Sequence, residues 1–480
     1  MMALKVASTR SLPLCGARLR QPLQRCPPGS VALLASQPPA LYRVAAVRAR
    51  RGVAGLVTAT TATDPGRTVA AGSGSEEKRA PLVVLKRGKS RLFRDGQPIV
   101  YSGAVDRVVG RPTPQAGDCV LVGDGAENVI GWGVFNPNSM FRVRIMQLEW
   151  EAERHSECHL DMEATVRTRL AGAAALRVAA GLPSPDTSVF RLCNSEGDRL
   201  SGLVVDVLGE VAVVASSAIW VERQKDTITE CLTAMTGITS VVWRPNASML
   251  AEEGLDMGSE APPGEDAPDV EVRELGVRFL AAPGGQKTGF YADQRDNRAV
   301  LAEMCSGKRV LDLCCYSGGF GIRAALHGAT HVTCVDSSEA ALALGRRNAE
   351  LNGVEVEFIK ADIKPFMQEA AAAGHAWDVI ILDPPKLAPN RKSLNKATNK
   401  YKSLNSSAMR LTSPGGLLLT CTCSGAMTQS GDFASVVHSA ALAARRHVTV
   451  LREAGAGMDH PVSPQYPEGR YLTTLLVRVT

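Results

Sequence analysis

Four aspartates lie in or just after short apolar runs in the C-terminal part of the sequence. They are Asp312, Asp336, Asp362 and Asp383. Apolar runs that alternate with helical segments indicate the strands of a buried parallel sheet, whose carboxyl ends share one edge. Carboxylates at such an edge can hold a ligand that carries amino and hydroxyl groups. The sequence therefore predicts a polar ligand site at the carboxyl edge of one sheet.

A glycine-rich turn with Gly318 and Gly319 follows the first of these runs. Glycines let backbone amides approach a ligand where the first strand of a doubly wound sheet turns into its helix. Asp312 can bind the amino group of a methionine, which a nicotinamide dinucleotide lacks. Asp336 can accept both ribose hydroxyls, and Asp362 can bond an adenine amino group. Together these features predict an S-adenosylmethionine site, although each aspartate alone is more often a strand-end or N-cap residue.

Two further segments at the same edge indicate the methyl acceptor. Asp383 is followed by two prolines and Lys386, where amino-group methyltransferases usually carry an aromatic residue. Lys386 in that place favours a carbon or ring-nitrogen target over an exocyclic amine. Cys423 follows the fifth predicted strand, and its thiolate can add to C6 of cytosine, which makes C5 nucleophilic until a base removes the C5 proton. The alternative is a structural cysteine in an apolar strand, and Cys421 is a second thiol on the same side.

Five short segments together carry a more specific pattern. They are residues 286–296 (QKTGFYADQRD), 315–320 (CYSGGF), 383–386 (DPPK), 422–425 (TCSG) and 466–469 (YPEG). They resemble the bacterial large-subunit ribosomal RNA cytosine-5 methyltransferases that carry an N-terminal PUA domain, and the likeness covers roughly residues 81–480. Two features depart from that family: an insert at residues 256–268, and Cys421 beside Cys423.

The resemblance implies Cys423 as the nucleophile and Asp383 at the target base, and Lys386 completes the predicted catalytic set. The predicted cofactor-binding residues are Lys287, Thr288, Asp312, Tyr316, Gly318, Gly319, Asp336, Asp362 and Asp383. Two other functions stay open at this point. One is methylation of a guanine or a protein side chain, with Cys423 structural. The other is a non-catalytic RNA-binding assembly factor.

The predicted fold class is α/β, with three parts. Residues 81–148 carry five predicted strands separated by turn signals, which indicates a small β-barrel. The resemblance implies that this barrel is a PUA-like domain that binds RNA. Residues 150–275 form a small α+β domain without a catalytic pattern. Residues 276–480 form a class I methyltransferase domain with a Rossmann-like sheet.

Charge is unevenly distributed along the chain. Its net charge is +6, but residues 1–63 hold nine Lys and Arg and no acid, so the remainder is slightly acidic. An Arg- and Ala-rich leader without acids is typical of an organelle transit peptide, predicted with its linker over residues 1–75. We predict a chloroplast location, with the mitochondrion as the alternative; a disordered tail is the other interpretation of this leader.

Predicted partners follow from the same composition. Affinity for ribosomal RNA has to come from local basic stretches, such as residues 86–91 and 391–402. No apolar run approaches the ~20 residues of a membrane span, so no membrane partner is predicted. The cysteine spacing shows no paired C-x-x-C motifs, so no metal is predicted. A homodimer is left open.

Overall fold

The structure is a computed structural model that describes residues 80–258, 267–285 and 289–480. The predicted transit peptide, the middle of the insert at 256–268, and the predicted cofactor residues Lys287 and Thr288 lie outside these ranges. Among the described helices, none has the length and apolar character needed to cross a bilayer.

The N-terminal domain is a six-stranded sheet rather than the five strands predicted. Its elements are β1 (Leu82–Leu85), α1 (Ser90–Arg94), β2 (Ile99–Tyr101), β3 (Val105–Val109), β4 (Cys119–Gly123), β5 (Val129–Phe135) and β6 (Phe141–Leu148). The strand order is β2-β6-β5-β4-β1-β3, and alternate residues such as Val83, Leu85 and Val143 fill its core. Strand β2 escaped prediction because three residues are too few to show an alternating pattern.

The middle domain packs helices against a four-stranded sheet. Its strands are β7 (Val189–Asn194), β8 (Leu203–Leu208), β9 (Val211–Ser216) and β10 (Ser240–Pro245), and its helices are α2 (Glu149–Ala152), α3 (Met162–Ala179), α4 (Ile219–Arg223), α5 (Lys225–Thr233) and α6 (Ala247–Glu252). Val166, Leu170 and Ala174 of α3 pack into its core at helical spacing. Gln224 ends α4 and precedes α5, so two short helices lie between β9 and β10.

A hairpin that was not predicted leads from the middle domain to the C-terminal one. It pairs β11 (Val270–Glu274) with β12 (Val277–Ala281) through a two-residue turn. Both turn residues have positive φ, 48° at Leu275 and 83° at Gly276. Leucine is unusual in this left-handed position, so the sequence lacked the Asn-Gly or Asp-Gly signal that marks most such turns.

The C-terminal domain is a seven-stranded, mainly parallel sheet with helices on both faces. Its strands are β13 (Arg309–Leu313), β14 (His331–Asp336), β15 (Glu357–Lys360), β16 (Trp377–Leu382), β17 (Thr412–Thr422), β18 (Val448–Ala454) and β19 (Thr473–Val479), and its helices are α7 (Arg295–Ala302), α8 (Gly319–Leu326), α9 (Glu339–Leu351), α10 (Ile363–Ala372), α11 (Leu394–Leu411), α12 (Gly425–Ser430) and α13 (Phe433–Ala444). The strand order is β15-β14-β13-β16-β17-β19-β18. Strands β13 to β17 are parallel, so their carboxyl ends meet at one edge.

The loop between β18 and β19 fixes the middle domain to the C-terminal domain. The buried carboxylate of Asp459 accepts hydrogen bonds from Arg295 Nη2 at 2.7 Å and from the backbone N–H of Arg191 at 2.9 Å. Arg177 Nη2 donates to the carbonyl oxygen of Asp459 at 2.7 Å. Because Arg177 and Arg191 belong to the middle domain, buried polar contacts hold the two domains in one arrangement.

Candidate active site

A cavity of about 800 Å³ opens at the carboxyl edge of the seven-stranded sheet. Eight of the predicted site residues line it: Asp312, Tyr316, Gly319, Asp336, Asp362, Asp383, Lys386 and Cys423. Gly318 lies in the same turn as Tyr316 and Gly319 but does not line the cavity. The parallel strands bring these residues together from points as far apart in sequence as β13 and the end of β17.

Asp312 lies on β13 at the base of the cavity and is buried. Its Oδ2 accepts the backbone N–H of Gly321 at 3.1 Å, whereas its buried Oδ1 has no hydrogen-bond partner among the described residues. Burial, with the nearby charges of Asp383 and Asp336, raises the pKa of Asp312 to about 7. A cationic amino group in the cavity would supply the missing donor and stabilise the ionised carboxylate.

The glycine-rich turn has little room for side chains. Gly318 has a φ of 80°, and a Cβ atom there would lie 3.1 Å from Ile322 and 3.2 Å from Phe358. Tyr316 also has a positive φ, 51°, which costs backbone energy in a residue other than glycine. Its N–H donates to Asp336 Oδ2 at 2.9 Å, which helps to hold the turn in this conformation.

Asp336 and Asp362 each have a structural contact as well as a place at the cavity. Asp336 Oδ1 accepts the backbone N–H of Ser338 at 2.9 Å. Asp362 is the N-cap of α10, and its Oδ1 accepts the N–H of Lys364 at 2.8 Å. Asp362 is therefore an N-cap residue, and its exposed carboxylate also lines the cavity.

Asp383 follows β16 and is held by a residue to which the sequence assigned no role. Its Oδ2 accepts a hydrogen bond from Gln294 Nε2 at 3.0 Å. Gln294 is buried and lies just before α7. Tyr291 was missed as well, although it lines the cavity with its ring 5.1 Å from that of Tyr316. The available signal was that both residues lie in segment 286–296, which the resemblance singled out as a whole.

The two thiols near the end of β17 differ sharply in environment. Cys421 is fully buried, lies 3.4 Å from Thr474 Oγ1, and accepts from Gln294 Nε2 at 3.4 Å. Burial and the charge of Asp383 raise the pKa of Cys421 well above its usual value. Cys423 is only half-buried, lines the cavity, and donates to the carbonyl oxygen of Pro384 at 3.8 Å. Of the two thiols near the end of β17, Cys423 is therefore the one that can meet a ligand in the cavity.

Ser424 ties the segment that carries Cys423 to the turn that follows Asp383. Its Oγ accepts the backbone N–H groups of Leu387 at 3.1 Å and Ala388 at 3.0 Å. The buried hydroxyl of Tyr401 lies 2.9 Å from the same Oγ and accepts from Thr422 Oγ1 at 2.8 Å. These contacts fix the position of Cys423 against Pro384. Lys386 lies exposed at the mouth of the cavity.

The segment after Asp383 forms a basic face beside the cavity. From residue 384 to residue 431 the sequence has no Asp or Glu, and its basic residues are Lys386, Arg391, Lys392, Lys396, Lys400, Lys402 and Arg410. We call Lys392, Lys396 and Lys400 the α11 lysine row, because all three are exposed and spaced four residues apart. Lys396 and Lys400 lie on α11, and Lys392 lies in the short turn just before it. Lys400 also lines the cavity. The row therefore leads along α11 to the cavity mouth.

Two parts of the chain match known families. Residues 83–148 match the family described as PUA-like domain. Residues 252–453 match the family described as S-adenosylmethionine-dependent methyltransferase. The second match contains Asp312, Asp383 and Cys423 and ends within β18.

Relatives align over almost their whole length. The chain is 36% identical over 395 residues to the ribosomal RNA large subunit methyltransferase I of Photobacterium profundum, which covers 81% of this chain and 97% of that protein. It is also 36% identical over 403 residues to the protein of the same name from Shewanella denitrificans, covering 83% and 99%.

Solved structures establish the fold. A crystal structure of a methyltransferase complexed with SAH superposes with a TM-score of 0.67 at 20% identity, covering 83% of this chain and 99% of that one. A SAM-dependent methyltransferase from Streptococcus mutans gives 0.66 at 19% identity, with the same coverage. The predicted fold class, an α/β methyltransferase domain preceded by a PUA-like domain, is confirmed.

Proposed function

The chain belongs to the ribosomal RNA large subunit methyltransferase I family of S-adenosylmethionine-dependent methyltransferases, and on that premise we propose that it methylates carbon 5 of a cytosine in large-subunit ribosomal RNA. The observation that carries the choice of base is Cys423. It is a half-buried thiol that lines the same cavity as Asp312 and Asp383. Methylation of a guanine or of a side-chain amine has no use for a thiol in that place.

The residues of the cavity fit the cofactor. The buried Oδ1 of Asp312 lacks a donor among the described residues, and a methionine amino group would provide one. Asp336 lines the cavity at the end of β14, where a ribose would be held, and Asp362 lies beyond it on the adenine side. When bound, S-adenosylmethionine supplies an electrophilic methyl group. The contributions of Lys287 and Thr288 stay predictions from the resemblance.

Cys423 would make the target carbon reactive. Its thiolate adds to C6 of the cytosine, and the electron pair of the C5–C6 double bond moves to make C5 nucleophilic. After methylation, loss of the C5 proton restores the double bond, the S–C6 bond breaks, and Cys423 leaves as a thiolate. Asp383 lies beside this position, where it can hold the base edge.

RNA would reach the cavity along the basic face. The α11 lysine row and Lys386 form no hydrogen bond or ion pair with any described residue, so their charges are available to phosphates. A base stacked in an RNA helix cannot enter the cavity without leaving the stack, so the target base has to be flipped out or already unpaired. The PUA-like domain provides a second RNA contact, with the exposed stretch 86–91 at its start.

We also propose that this reaction takes place in an organelle. The support is the leader, whose nine basic residues and absence of acids match a transit peptide. The chloroplast is our first assignment. Expression of residues 1–75 fused to a fluorescent protein tests this assignment, and we expect import into plastids. Import into mitochondria would instead support the mitochondrion, and cytosolic fluorescence would contradict both locations.

The decisive experiment for the reaction compares Cys423→Ala with Cys421→Ala, two substitutions of the same kind two residues apart. Purified protein is incubated with large-subunit ribosomal RNA, and 5-methylcytosine is mapped by bisulfite sequencing. We expect methylation to disappear in Cys423→Ala and to persist in Cys421→Ala. RNA that contains 5-fluorocytosine should form a denaturation-resistant adduct with the wild type and with Cys421→Ala only. Unchanged methylation by Cys423→Ala would rule out the covalent mechanism.

A further inference from the structure

The buried side-chain amides of Asn297 and Gln294 form a hydrogen-bonded series that ends at the carboxylate of Asp383. Asn297 Nδ2 donates to the carbonyl oxygen of Gly455 at 3.1 Å and to Gln294 Oε1 at 2.7 Å. Gln294 Nε2 in turn donates to Asp383 Oδ2 at 3.0 Å. Gln294 is 3% exposed and Asn297 1%, so water does not replace these partners. We call this arrangement the amide relay.

The far end of the amide relay fixes its direction. A backbone carbonyl can only accept, so Asn297 has to present its NH₂ group to Gly455. The same NH₂ group meets Gln294, which must therefore turn its carbonyl oxygen toward Asn297 and its NH₂ toward Asp383. On the other side, Arg452 Nη1 donates to Asn297 Oδ1 at 3.4 Å, which agrees with this orientation. Reversing Gln294 would place its oxygen against the Asp383 carboxylate, which is repulsive.

We propose that Gln294 is a positioning residue that keeps Asp383 a hydrogen-bond acceptor and thereby selects the amino-bearing edge of cytosine over the carbonyl edge of uracil. This inference rests on the proposed function, because it takes a pyrimidine as the target. A donor fixed on one oxygen stabilises the ionised carboxylate and limits its rotation. An ionised carboxylate accepts from the N4 amino group of cytosine but is repelled by O4 of uracil.

Several charged and titratable groups also lie near Asp383. They are Asp312 of β13, Cys314 of the turn, Cys421 of β17, Tyr291 and Arg298. Asp312 disfavours a second negative charge. The guanidinium of Arg298 is engaged by Glu274 through contacts of 2.8 and 2.5 Å. The neutral donor of Gln294 is thus suited to hold Asp383 ionised without adding a charge to the cavity.

The test uses two variants of similar size. Gln294→Leu removes the donor, and Gln294→Glu replaces it with a second acceptor while Asn297 can still donate to it. Thr474→Val is the matched control, because Thr474 contacts Asn297 and Cys421 but not Asp383. Two quantities are measured in each full-length variant. One is the ionisation of Asp383 in the RNA-free protein, by carboxyl ¹³C NMR with Asp383→Asn to identify the signal. The other is the single-turnover rate on RNA that carries C or U at the target position.

We expect the carboxyl titration of Asp383 and the acidic limb of the rate profile to move to higher pH by about 1–2 units in Gln294→Leu, and further in Gln294→Glu. The preference for C over U should fall at least about tenfold near neutral pH in both, with Thr474→Val unchanged. A Gln294→Leu protein that titrates like the wild type and keeps its discrimination would overturn the inference. So would an equal shift in Thr474→Val, because that would show a general structural effect. If the wild-type protein did not methylate RNA with C at the target position, the proposed function would be wrong. The carboxyl titration of Asp383 would still test the role of Gln294 in that case.

Discussion

The Tyr401 hydroxyl lies 2.9 Å from Ser424 Oγ, at the point where α11 meets the segment that carries Cys423. Tyr401 projects from the buried face of α11, and its neighbour Lys400 belongs to the exposed lysine row. One rigid helix therefore carries the basic face on one side and supports the thiol segment on the other. The lysine row and the segment that carries Cys423 are therefore fixed to the same element.

The contact predicts a specific effect of Ser424→Ala. The substitution leaves the backbone N–H groups of Leu387 and Ala388 without their acceptor, and unsatisfied buried donors are costly. We expect the free energy of unfolding to fall by about 2–3 kcal/mol and the methylation rate to fall at least about tenfold, because Cys423 and Asp383 are no longer held together. SAH affinity, measured by calorimetry, should stay the same. Ser435→Ala on the exposed face of α13 is the control, and a similar loss there would contradict the argument.

Cofactor affinity should depend on pH through Asp312. Burial raises the pKa of Asp312 to about 7, and an amino group binds its ionised form. Affinity for SAH should therefore be steady above pH 7 and fall by up to about tenfold per pH unit below it, as protonation of Asp312 competes with binding. Calorimetric titration between pH 5.5 and about pH 8 measures this. Asp312→Asn should bind weakly with a flat profile; a steep profile in that variant would assign the dependence to another group.

The α11 lysine row should govern the salt dependence of RNA binding. Each phosphate contact contributes about 0.7–0.9 to the slope of log affinity against log salt concentration. We expect the double substitution Lys392→Gln and Lys396→Gln to reduce that slope by about 1.5 and to leave SAH affinity unchanged, because neither residue lines the cavity. Lys308→Gln is the control, since Lys308 is exposed just before β13, at the opposite edge of the sheet. Fluorescence anisotropy at several salt concentrations provides the slopes, and equal slopes in all three proteins would refute the assignment.

Asp459 should make stability pH-dependent in the acid range. Burial opposes its ionisation, but His460 and Arg295 outweigh burial and hold the pKa of Asp459 below its usual range. A lowered folded-state pKa contributes stability that is complete above the unfolded value, near 4, and is lost as the pH falls below it. Asp459→Asn leaves the buried charge of Arg295 with only the more distant carboxylate of Asp296, 3.7 Å from its Nε, so we expect a loss of about 3 kcal/mol at pH 7. The difference from the wild type should narrow below about pH 4 in urea unfolding; a constant difference would contradict this account.

The ends of the parallel strands could be predicted from the sequence, because burial of both faces of the sheet produces continuous apolar runs. Asp312, Asp336 and Asp383 follow from that pattern, since the carboxyl ends of parallel strands must share an edge. Strand β17 is an exception at its start. It begins at Thr412, five residues before the apolar run that starts at Leu417, because Ser413, Pro414 and two glycines give its first half no apolar pattern.

The hydrogen bonds among polar side chains at the site could not be predicted in the same way. Gln294 and Asn297 have no periodic signature, and their partners lie more than 80 residues away in Asp383 and Gly455. Ser424 was recognised only as part of a motif, because its acceptor role depends on Leu387 and Ala388 coming close in space. The sequence indicates which residues reach the edge, whereas the contacts among them arise from tertiary packing.

Strand β19 has a consequence for how the protein is made. It lies between β17 and β18, and β18 pairs with no other strand of its sheet. On the ribosome β18 emerges first, so it has to wait unpaired until β19 has been synthesised. The loop that carries Asp459 connects β18 to β19. Nascent chains stalled before β19 should therefore bind chaperones and expose the segment that carries Cys423 to protease, because β17 also lacks its partner β19. Both effects should disappear once β19 leaves the exit tunnel.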